Sequence, residues 1–262
     1  RAAEVLRKAV SFDPIDMDLL RELVNRLADT GEHQAAIDEL TQAIDWQPLD
    51  RTMLVEFLRR RAEFAMIVGA EDQAAQDLER AYEVVGAELI PDLIDGLERW
   101  RGAATRRGDR NGERTATLRL VEILGKEGAA EQARHALAEW VAREPGDTQA
   151  LRMLMDLDSA ASRWEAVIES CTALVAAETG DGQIKAVLQL VEATEKVGRP
   201  GDARAGLEIA NKAQPANEAV RGRLKQIYEE EENYLALARI LIGEASGVED
   251  EGARFLMLRQ AG

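Results

Sequence analysis

The chain is organised by a repeat of 34 residues, and this repeat limits the folds available to it. Pro14 and Pro48 are 34 residues apart, and the same ladder of small and apolar residues precedes each of them. Before Pro48 the ladder consists of Ala36, Leu40 and Ala43. A glycine lies five residues before the first ladder residue in four units, at Gly31, Gly69, Gly128 and Gly198. The chain is therefore built from copies of one local motif.

Each unit is predicted to be two helices joined by a tight turn. In the first complete unit, Leu20, Leu23 and Leu27 recur at helical spacing and form one apolar face. Gly31 permits the turn that ends this helix, and Pro48 cannot continue the second helix. Small alanines on the second helix let the two helices approach closely.

This pattern resembles the tetratricopeptide repeat (TPR) family, and the resemblance covers nearly the whole chain. Three units have the length of 34 residues, namely 17–50, 114–147 and 184–217. The other units are looser, namely 51–88, 148–183 and 218–248. In unit 51–88, which is four residues longer, we expect a first helix with one additional turn. The resemblance implies an all-α fold, a right-handed superhelical solenoid of about seven antiparallel helix pairs.

The repeat frame breaks between residues 89 and 113. Residues 89–107 form one long helical pattern, and Gly108 lies where a repeat turn belongs. In that frame residues 113–125 are a second helix, whereas the next unit of 34 residues uses them as its first helix. We therefore expect a kink or a packing irregularity between Gly102 and Gly112.

This break suggests two domains. Residues 1–107 would hold the N-terminal repeats with a truncated first repeat, and residues 108–262 would hold the C-terminal repeats with a truncated last one. One continuous solenoid is the alternative. The sequence begins inside a repeat, and residues 251–261 resemble the beginning of another helix, so we expect the chain to be a segment of a longer protein.

The charge balance narrows the classes of partner. The chain has 33 basic and 49 acidic residues, which give a formal net charge of −16. General binding to nucleic acids or anionic membranes needs clustered positive charge, so neither is expected. The single cysteine cannot form an internal disulfide, and no apolar run reaches the roughly 18–20 residues of a membrane-spanning helix. A protein or peptide partner is favoured.

Catalytic, cofactor and metal sites are not expected. The two histidines, His33 and His135, lie in different units, whereas a zinc site needs about four suitably spaced ligands. Cys171 could act as a nucleophile if His135 approached it, but its position on the packed face of its helix favours a small buried residue. No phosphate loop of the GxxxxGK type is present. The sequence therefore predicts a protein that is not an enzyme.

The TPR resemblance implies binding instead. In this family the first helices line a concave surface that often holds an extended peptide or another protein. The residues assigned to that surface here are Arg21, Asn25, Arg59, Glu63, Glu98, Arg106, Glu122, Lys126, Arg152, Asp156, Glu192, Lys196, Gln226 and Glu230. They are charged and mixed in sign, which favours a polar, charge-complementary partner. Arg21 with Asn25 resembles half of the family's carboxylate clamp, which the following repeats leave incomplete.

The sign of the assigned residues changes along the chain. The early repeats supply Arg21 and Arg59, whereas the late repeats supply acids such as Glu192. A bound segment is therefore expected to place its acidic part towards residues 17–63 and its basic part towards residues 184–230. Two alternatives stay open: a regulatory or sensor module whose curvature changes on ligand binding, and an accessory arm of a larger enzyme.

Overall fold

A computed structural model describes residues 2–12, 16–46 and 49–246, and every regular element in these ranges is helical. The α-helices are α1 (Ala2–Phe12), α2 (Met17–Asp29), α3 (His33–Trp46), α4 (Arg51–Val68), α5 (Glu71–Val85), α6 (Ile90–Arg107), α7 (Arg110–Lys126), α8 (Ala130–Arg143), α9 (Thr148–Ala160), α10 (Trp164–Ala177), α11 (Gly180–Lys196), α12 (Arg204–Ala213), α13 (Glu218–Glu230) and α14 (Tyr234–Ser246). Short 3₁₀ turns, Ala87–Leu89 and Pro200–Ala203, precede α6 and α12. The prediction of an all-α helical repeat is confirmed.

The predicted glycines make the turns between the paired helices. Their φ angles are positive: 78° at Gly31, 81° at Gly69, 71° at Gly128 and 72° at Gly198. This left-handed region is open to glycine at little cost. In two looser units Ser162 and Glu232 take the same place, with φ of 56° and 55°. Helix α4 has 18 residues and α2 has 13, which confirms the longer first helix.

Short polar side chains start several of the helices. A side-chain oxygen accepts a hydrogen bond from a first-turn backbone N–H at Asp16, Asp50, Asp109, Asp147 and Asn217. Such a cap contributes about 1 kcal/mol relative to alanine. Pro14 and Pro48 of the repeat pattern lie outside the described residues, as does the helix predicted to begin at residue 251.

The irregular region contains a turn between two helices, not a kink within one helix. Helix α6 ends at Arg107, and Gly108 closes it with a φ of 70°. Asp109 then accepts a hydrogen bond from the backbone N–H of Gly112 over 3.0 Å and caps α7. The break therefore has its own C-cap and N-cap, which is why two separate helices form here.

Helix α7 lies beside α5, which is the second helix of its repeat. Arg119 on α7 donates a hydrogen bond to Glu79 Oε1 on α5 over 2.8 Å. Helix α6 in turn lies beside α4, where Arg59 Nη2 is 2.7 Å from Asp92 Oδ2. Helix α7 thus occupies the position of a second helix, although its sequence also matches the first helix of unit 114–147. Helix α7 can match both repeat frames because α6 is an additional helix between the unit 51–88 and the unit 114–147.

The chain divides into two compact units, residues 1–133 and residues 134–262, so the division falls within α8. The boundary expected after residue 107 coincides with the turn between α6 and α7 and lies inside the first unit. These two helices pack directly against each other. The division expected at residue 107 stays a prediction. Each unit has buried leucines of its own, such as Leu23, Leu58 and Leu97 in the first unit and Leu174, Leu190 and Leu207 in the second.

Candidate functional site

In the first unit, helices α2, α4 and α6 lie side by side, and ion pairs join each helix to the next. Arg21 on α2 donates to the two carboxylate oxygens of Glu56 on α4 over 2.9 and 2.8 Å. These hydrogen bonds hold the pKa of Glu56 below its usual range. Arg59 on α4 pairs with Asp92 on α6 over 2.7 Å. Paired in this way, the charged side chains of the row are held in defined positions.

A cleft of about 310 Å³ lies between α2 and α4 and is called the α2–α4 cleft. Its apolar lining is buried and consists of Val24, Leu40 and Phe57. Its polar lining consists of Arg21, Asn25, Glu56 and Arg60. This rim thus has two guanidinium groups and one carboxylate.

Arg60 is held in this rim by three contacts. It donates hydrogen bonds to Asn25 Oδ1 and to Glu63 Oε2, both over 3.1 Å. Its guanidinium carbon lies 5.2 Å from the centre of the Phe64 ring, a cation–π arrangement that contributes about 0.5–1 kcal/mol at exposed sites. The sequence pattern predicted Arg59 for the candidate binding face but not Arg60. Because α4 has a neighbour on each side, these two consecutive residues face different helices.

A second cleft of about 340 Å³ lies between α4 and α6 and is called the α4–α6 cleft. Its apolar lining consists of Ala62, Met66, Ile67 and Leu78. Its charged lining consists of Arg59, Glu63, Asp92, Asp95 and Arg99. Arg99 pairs with Asp95 over 2.8 Å, in addition to the pair between Arg59 and Asp92. This lining thus has three carboxylates and two guanidinium groups.

In the second unit, a cleft of about 670 Å³ lies between α11 and α13 and is called the α11–α13 cleft. Its lining consists of Leu188, Glu192, Glu195, Glu218, Ala219, Gly222, Arg223 and Gln226. Arg223 donates to Glu195 Oε1 over 2.9 Å and thereby joins the two helices. Three carboxylates and one guanidinium group make this cleft strongly acidic.

The structure brings six of the sequence-predicted residues to these clefts: Arg21, Asn25, Arg59, Glu63, Glu192 and Gln226. Glu98 and Arg106 are exposed on α6 but do not line the α4–α6 cleft. Helix α6 presents Asp92, Asp95 and Arg99 to that cleft instead. Their spacing, i, i+3 and i+7, was the sequence signal that could have identified this face.

Glu122 and Lys126 do not belong to the row of α2, α4 and α6. They lie on α7, where Lys126 Nζ donates to Glu122 Oε1 over 3.0 Å. This hydrogen bond raises the pKa of Lys126, and Tyr82 on α5 adds a smaller contribution in the same direction. Glu122 and Lys126 lie outside the row of α2, α4 and α6 because the additional helix α6 places α7 in the position of a second helix.

Arg152 and Asp156 lie on α9 in the second unit. Arg152 Nε donates to Glu178 Oε1 over 2.9 Å, so it ties α9 to the segment that leads into α11. Asp156 is exposed one turn further along the same helix. The Arg152 guanidinium is therefore already engaged within the unit, and a partner would have to share it.

Lys196 and Glu230 lie near the C-terminal ends of α11 and α13. Lys196 Nζ is 6.0 Å from the centre of the Trp164 ring, at the outer limit for a cation–π contact. Glu230 accepts a hydrogen bond from Gln226 Nε2 over 3.1 Å. Gln226 thus connects Glu230 to the edge of the α11–α13 cleft.

Cys171 has the environment of a core residue. Its sulfur lies 3.5 Å from Met155 Sδ, and burial raises the pKa of the thiol to about 12. A thiol with that pKa is protonated at neutral pH, so it is not an activated nucleophile. His135 lies 3.5 Å from Glu139 on its own helix. Among the residues that the structure describes, no His, Cys, Asp or Glu side chains form a group that could hold a metal ion.

The basic stretch 99–114 is engaged in contacts within the first unit. Arg107 donates to Glu71 Oε2 over 3.0 Å and to the carbonyl oxygen of Gly69 over 3.2 Å. Arg99 pairs with Asp95. Arg107 therefore links α6 to the start of α5, whereas Arg99 pairs within α6.

Within the described ranges, none of the helices has the length and hydrophobicity that a membrane span requires. No family model matches the sequence, and no curated protein matches it.

Solved structures of TPR-type proteins are similar to this chain at low identity. YrrB, a TPR protein with an unusual peptide-binding site, is 15% identical, with 83% of this chain and 96% of that chain covered and a TM-score of 0.32. MamA from Desulfovibrio magneticus RS-1 is 17% identical over 77% and 96%, with a TM-score of 0.33. A structure of nearly identical TPR-like repeats, from a Podospora anserina kinesin light chain, is 17% identical over 74% and 93%, with a TM-score of 0.40. The helical repeat of this chain is visible in its own helix pairs and glycine turns.

Proposed function

We propose that the chain is a non-enzymatic protein-interaction scaffold, and that its first unit binds an extended segment of a partner along α2, α4 and α6. The observation that supports this proposal is the pair of clefts on the two sides of α4, each with an apolar floor and a charged rim. Because ion pairs already hold the rim side chains, binding costs less conformational entropy than the ordering of free side chains would.

The spacing of the clefts favours an extended segment. Packed helices lie about 8–10 Å apart, and an extended chain in the polyproline II conformation advances about 3.1 Å per residue with every third side chain on the same side. About three residues of extended chain therefore separate the side chains that enter neighbouring clefts. A bound helix would need a continuous apolar groove, whereas charged rims interrupt this row.

The charges of the clefts indicate the direction of the segment within the first unit. The α2–α4 cleft, lined by two guanidinium groups and one carboxylate, suits an acidic residue, and the α4–α6 cleft, lined by three carboxylates and two guanidinium groups, suits a basic residue. By the same reasoning, the α11–α13 cleft of the second unit suits a basic segment.

Association kinetics test the scaffold proposal. Peptides would be selected on the 262-residue chain from a random display library and measured with the wild type and with Arg21→Glu/Arg59→Glu. We expect the double variant to slow association about tenfold at low salt, since charge steering changes association rates by factors of about 10–1,000. The difference should shrink at high salt, because the Debye length is only about 8 Å at physiological ionic strength.

Arg26→Glu/Arg80→Glu is the matched control, because both arginines are exposed, lie on α2 and α5, and line none of the three clefts. It changes the net charge by the same amount. Equal association rates for the two double variants would place binding away from the α2, α4 and α6 row and contradict the proposal.

A further inference from the structure

The α4–α6 cleft has a buried apolar floor and an apolar side chain that is exposed to solvent at its edge. Ala62 and Leu78 are buried at its base, and Met66 is partly buried beside them. Ile67 lines the same cleft although 61% of its surface is exposed. An aliphatic side chain that entered here would cover Ile67 and remove further apolar surface from water.

Gly96 shapes the floor of this cleft. A Cβ atom at this position would lie 2.6 Å from Leu78 Cδ1 and 3.5 Å from Met66 Cε. A glycine inside a helix costs about 1 kcal/mol relative to alanine, and here its absent side chain lets α6 approach α5 at the base of the cleft. The resulting space, about 340 Å³, is at the lower end of the ligand pockets of about 300–1,000 Å³ found in proteins. It fits one or two side chains of a partner.

The rim around this floor suits a cation. Arg59 and Arg99 are each committed to an aspartate, Asp92 and Asp95, over 2.7 and 2.8 Å. The third carboxylate is that of Glu63, whose side chain is 61% exposed and accepts one hydrogen bond from Arg60. Glu63 on α4 and Asp95 on α6 thus border the floor on two sides with oxygen atoms that can accept further hydrogen bonds.

We propose that the α4–α6 cleft receives an aliphatic side chain of a partner segment whose neighbouring residue is lysine or arginine. The inference rests on the proposed scaffold function and names the chemistry that one cleft selects. The aliphatic side chain lies against Ala62, Met66 and Leu78, and the adjacent cation pairs with Glu63 and Asp95. Apolar contact supplies most of the affinity, and the charges supply discrimination between partners.

Three labelled peptides test this inference by fluorescence polarisation on the 262-residue chain. Each is an extended nonapeptide of Gly and Ser with one central triplet: Lys-Leu-Lys, Lys-Ser-Lys or Glu-Leu-Glu. We expect Lys-Leu-Lys to bind about tenfold more tightly than either of the other two, a difference of ~1.4 kcal/mol. Equal binding of Lys-Leu-Lys and Lys-Ser-Lys would contradict the apolar part of the proposal, and equal binding of Glu-Leu-Glu would contradict its charged part.

Matched variants locate the binding site on α6. Asp95→Lys should weaken binding of Lys-Leu-Lys about tenfold, because it reverses a charge at the rim. Glu98→Lys makes the same change at an exposed position of the same helix that does not line the cleft, and it should change binding less than about twofold. Equal losses in both variants would mean unspecific attraction to an acidic protein and would overturn the proposal.

A second pair of variants removes apolar surface without a change of charge. Ile67→Ser should weaken binding of Lys-Leu-Lys, whereas Val68→Ser, at an exposed neighbour outside the cleft lining, should not. The two proposals fail separately. If Lys-Leu-Lys does not bind while library-selected peptides still respond to Arg21→Glu/Arg59→Glu, the scaffold stands and this inference is wrong.

Discussion

Two helix pairs have different chemistry at the same two positions of the repeat, one eight residues before the turn glycine and one eight residues after it. One pair has a charged contact there, and the other has an apolar contact. In the pair α4–α5, Arg61 lies eight residues before the turn glycine Gly69, and Asp77 lies eight residues after it. Arg61 donates hydrogen bonds to both carboxylate oxygens of Asp77, over 2.8 and 2.6 Å, and to Thr41 Oγ1 over 2.9 Å. Only 8% of Arg61 and 4% of Asp77 is exposed, so a charged pair stands in the core of this repeat.

In the pair α11–α12, Leu190 and Gly206 lie at the corresponding distances from the turn glycine Gly198. Here the contact is apolar and so close that a Cβ atom at Gly206 would lie 2.8 Å from Leu190 Cδ2. Leucine also occupies the first position in other repeats, at Leu23, Leu120 and Leu224.

The comparison shows that the repeat requires a filled contact at this place but accepts two chemistries. The apolar contact depends on shape, because a small residue must face a large one. The charged contact depends on both partners being present, because a buried ion without its partner keeps its full desolvation cost. The two helix pairs should therefore respond differently to substitution.

The largest expected effect is on the charged contact. Arg61→Leu restores the residue found in other repeats but leaves Asp77 buried and without its counter-ion. We expect the free energy of unfolding to fall by about 3–5 kcal/mol, the range for a broken buried ion pair. Urea unfolding followed by circular dichroism measures this loss.

Arg61→Leu/Asp77→Ala is the control, because it replaces both charges with a leucine and alanine contact. Its stability should lie within about 1 kcal/mol of the wild type or above it, since buried ion pairs are often replaced by apolar residues without loss. If the free energy of unfolding fell as much in the double variant as in Arg61→Leu, the shape of the contact would explain both losses, and the unpaired charge of Asp77 would not.

A smaller effect is expected at the apolar contact. In Gly206→Ala the new methyl group must displace Leu190, and overpacking of this kind costs about 1–3 kcal/mol. Alanine regains about 1 kcal/mol through its higher helix propensity, so the net loss should be near 1 kcal/mol. Gly222→Ala is the matched control on α13, where an added Cβ meets no atom within 4 Å, and it should stabilise the chain. Destabilisation by both variants would show that contact shape does not distinguish the two sites.

The smallest expected effect concerns the core around the α11–α12 contact. Cys171 lies in that core, and burial raises the pKa of its thiol to about 12. At pH 8.5 an exposed thiol is about half ionised, whereas Cys171 should remain protonated and react with iodoacetamide only when the core opens. Mass spectrometry should show almost no alkylation in the native wild type and faster alkylation in Gly206→Ala. Rapid alkylation of the native wild type would contradict the closed apolar core.

The sequence by itself determined the local structure of this protein. Gly31, Gly69, Gly128 and Gly198 were identified from their spacing, and each makes the left-handed turn that the pattern requires. The longer helix α4 and the break at Gly108 were also predicted. These features depend on φ preferences, caps and helical periodicity, which act over a few residues and are therefore visible in a single sequence.

Only the tertiary structure decided which side chains meet. Arg61 and Asp77 are 16 residues apart, and Arg59 and Asp92 are 33 apart, so neither pair has a local sequence signal. The pattern allowed α7 either a first-helix or a second-helix position, and packing against α6 and beside α5 places it as a second helix. The reason is that periodicity shows only which face of a helix is apolar. Which neighbouring helix covers that face depends on the number of helices that precede it in the chain, and α6 adds one helix before α7.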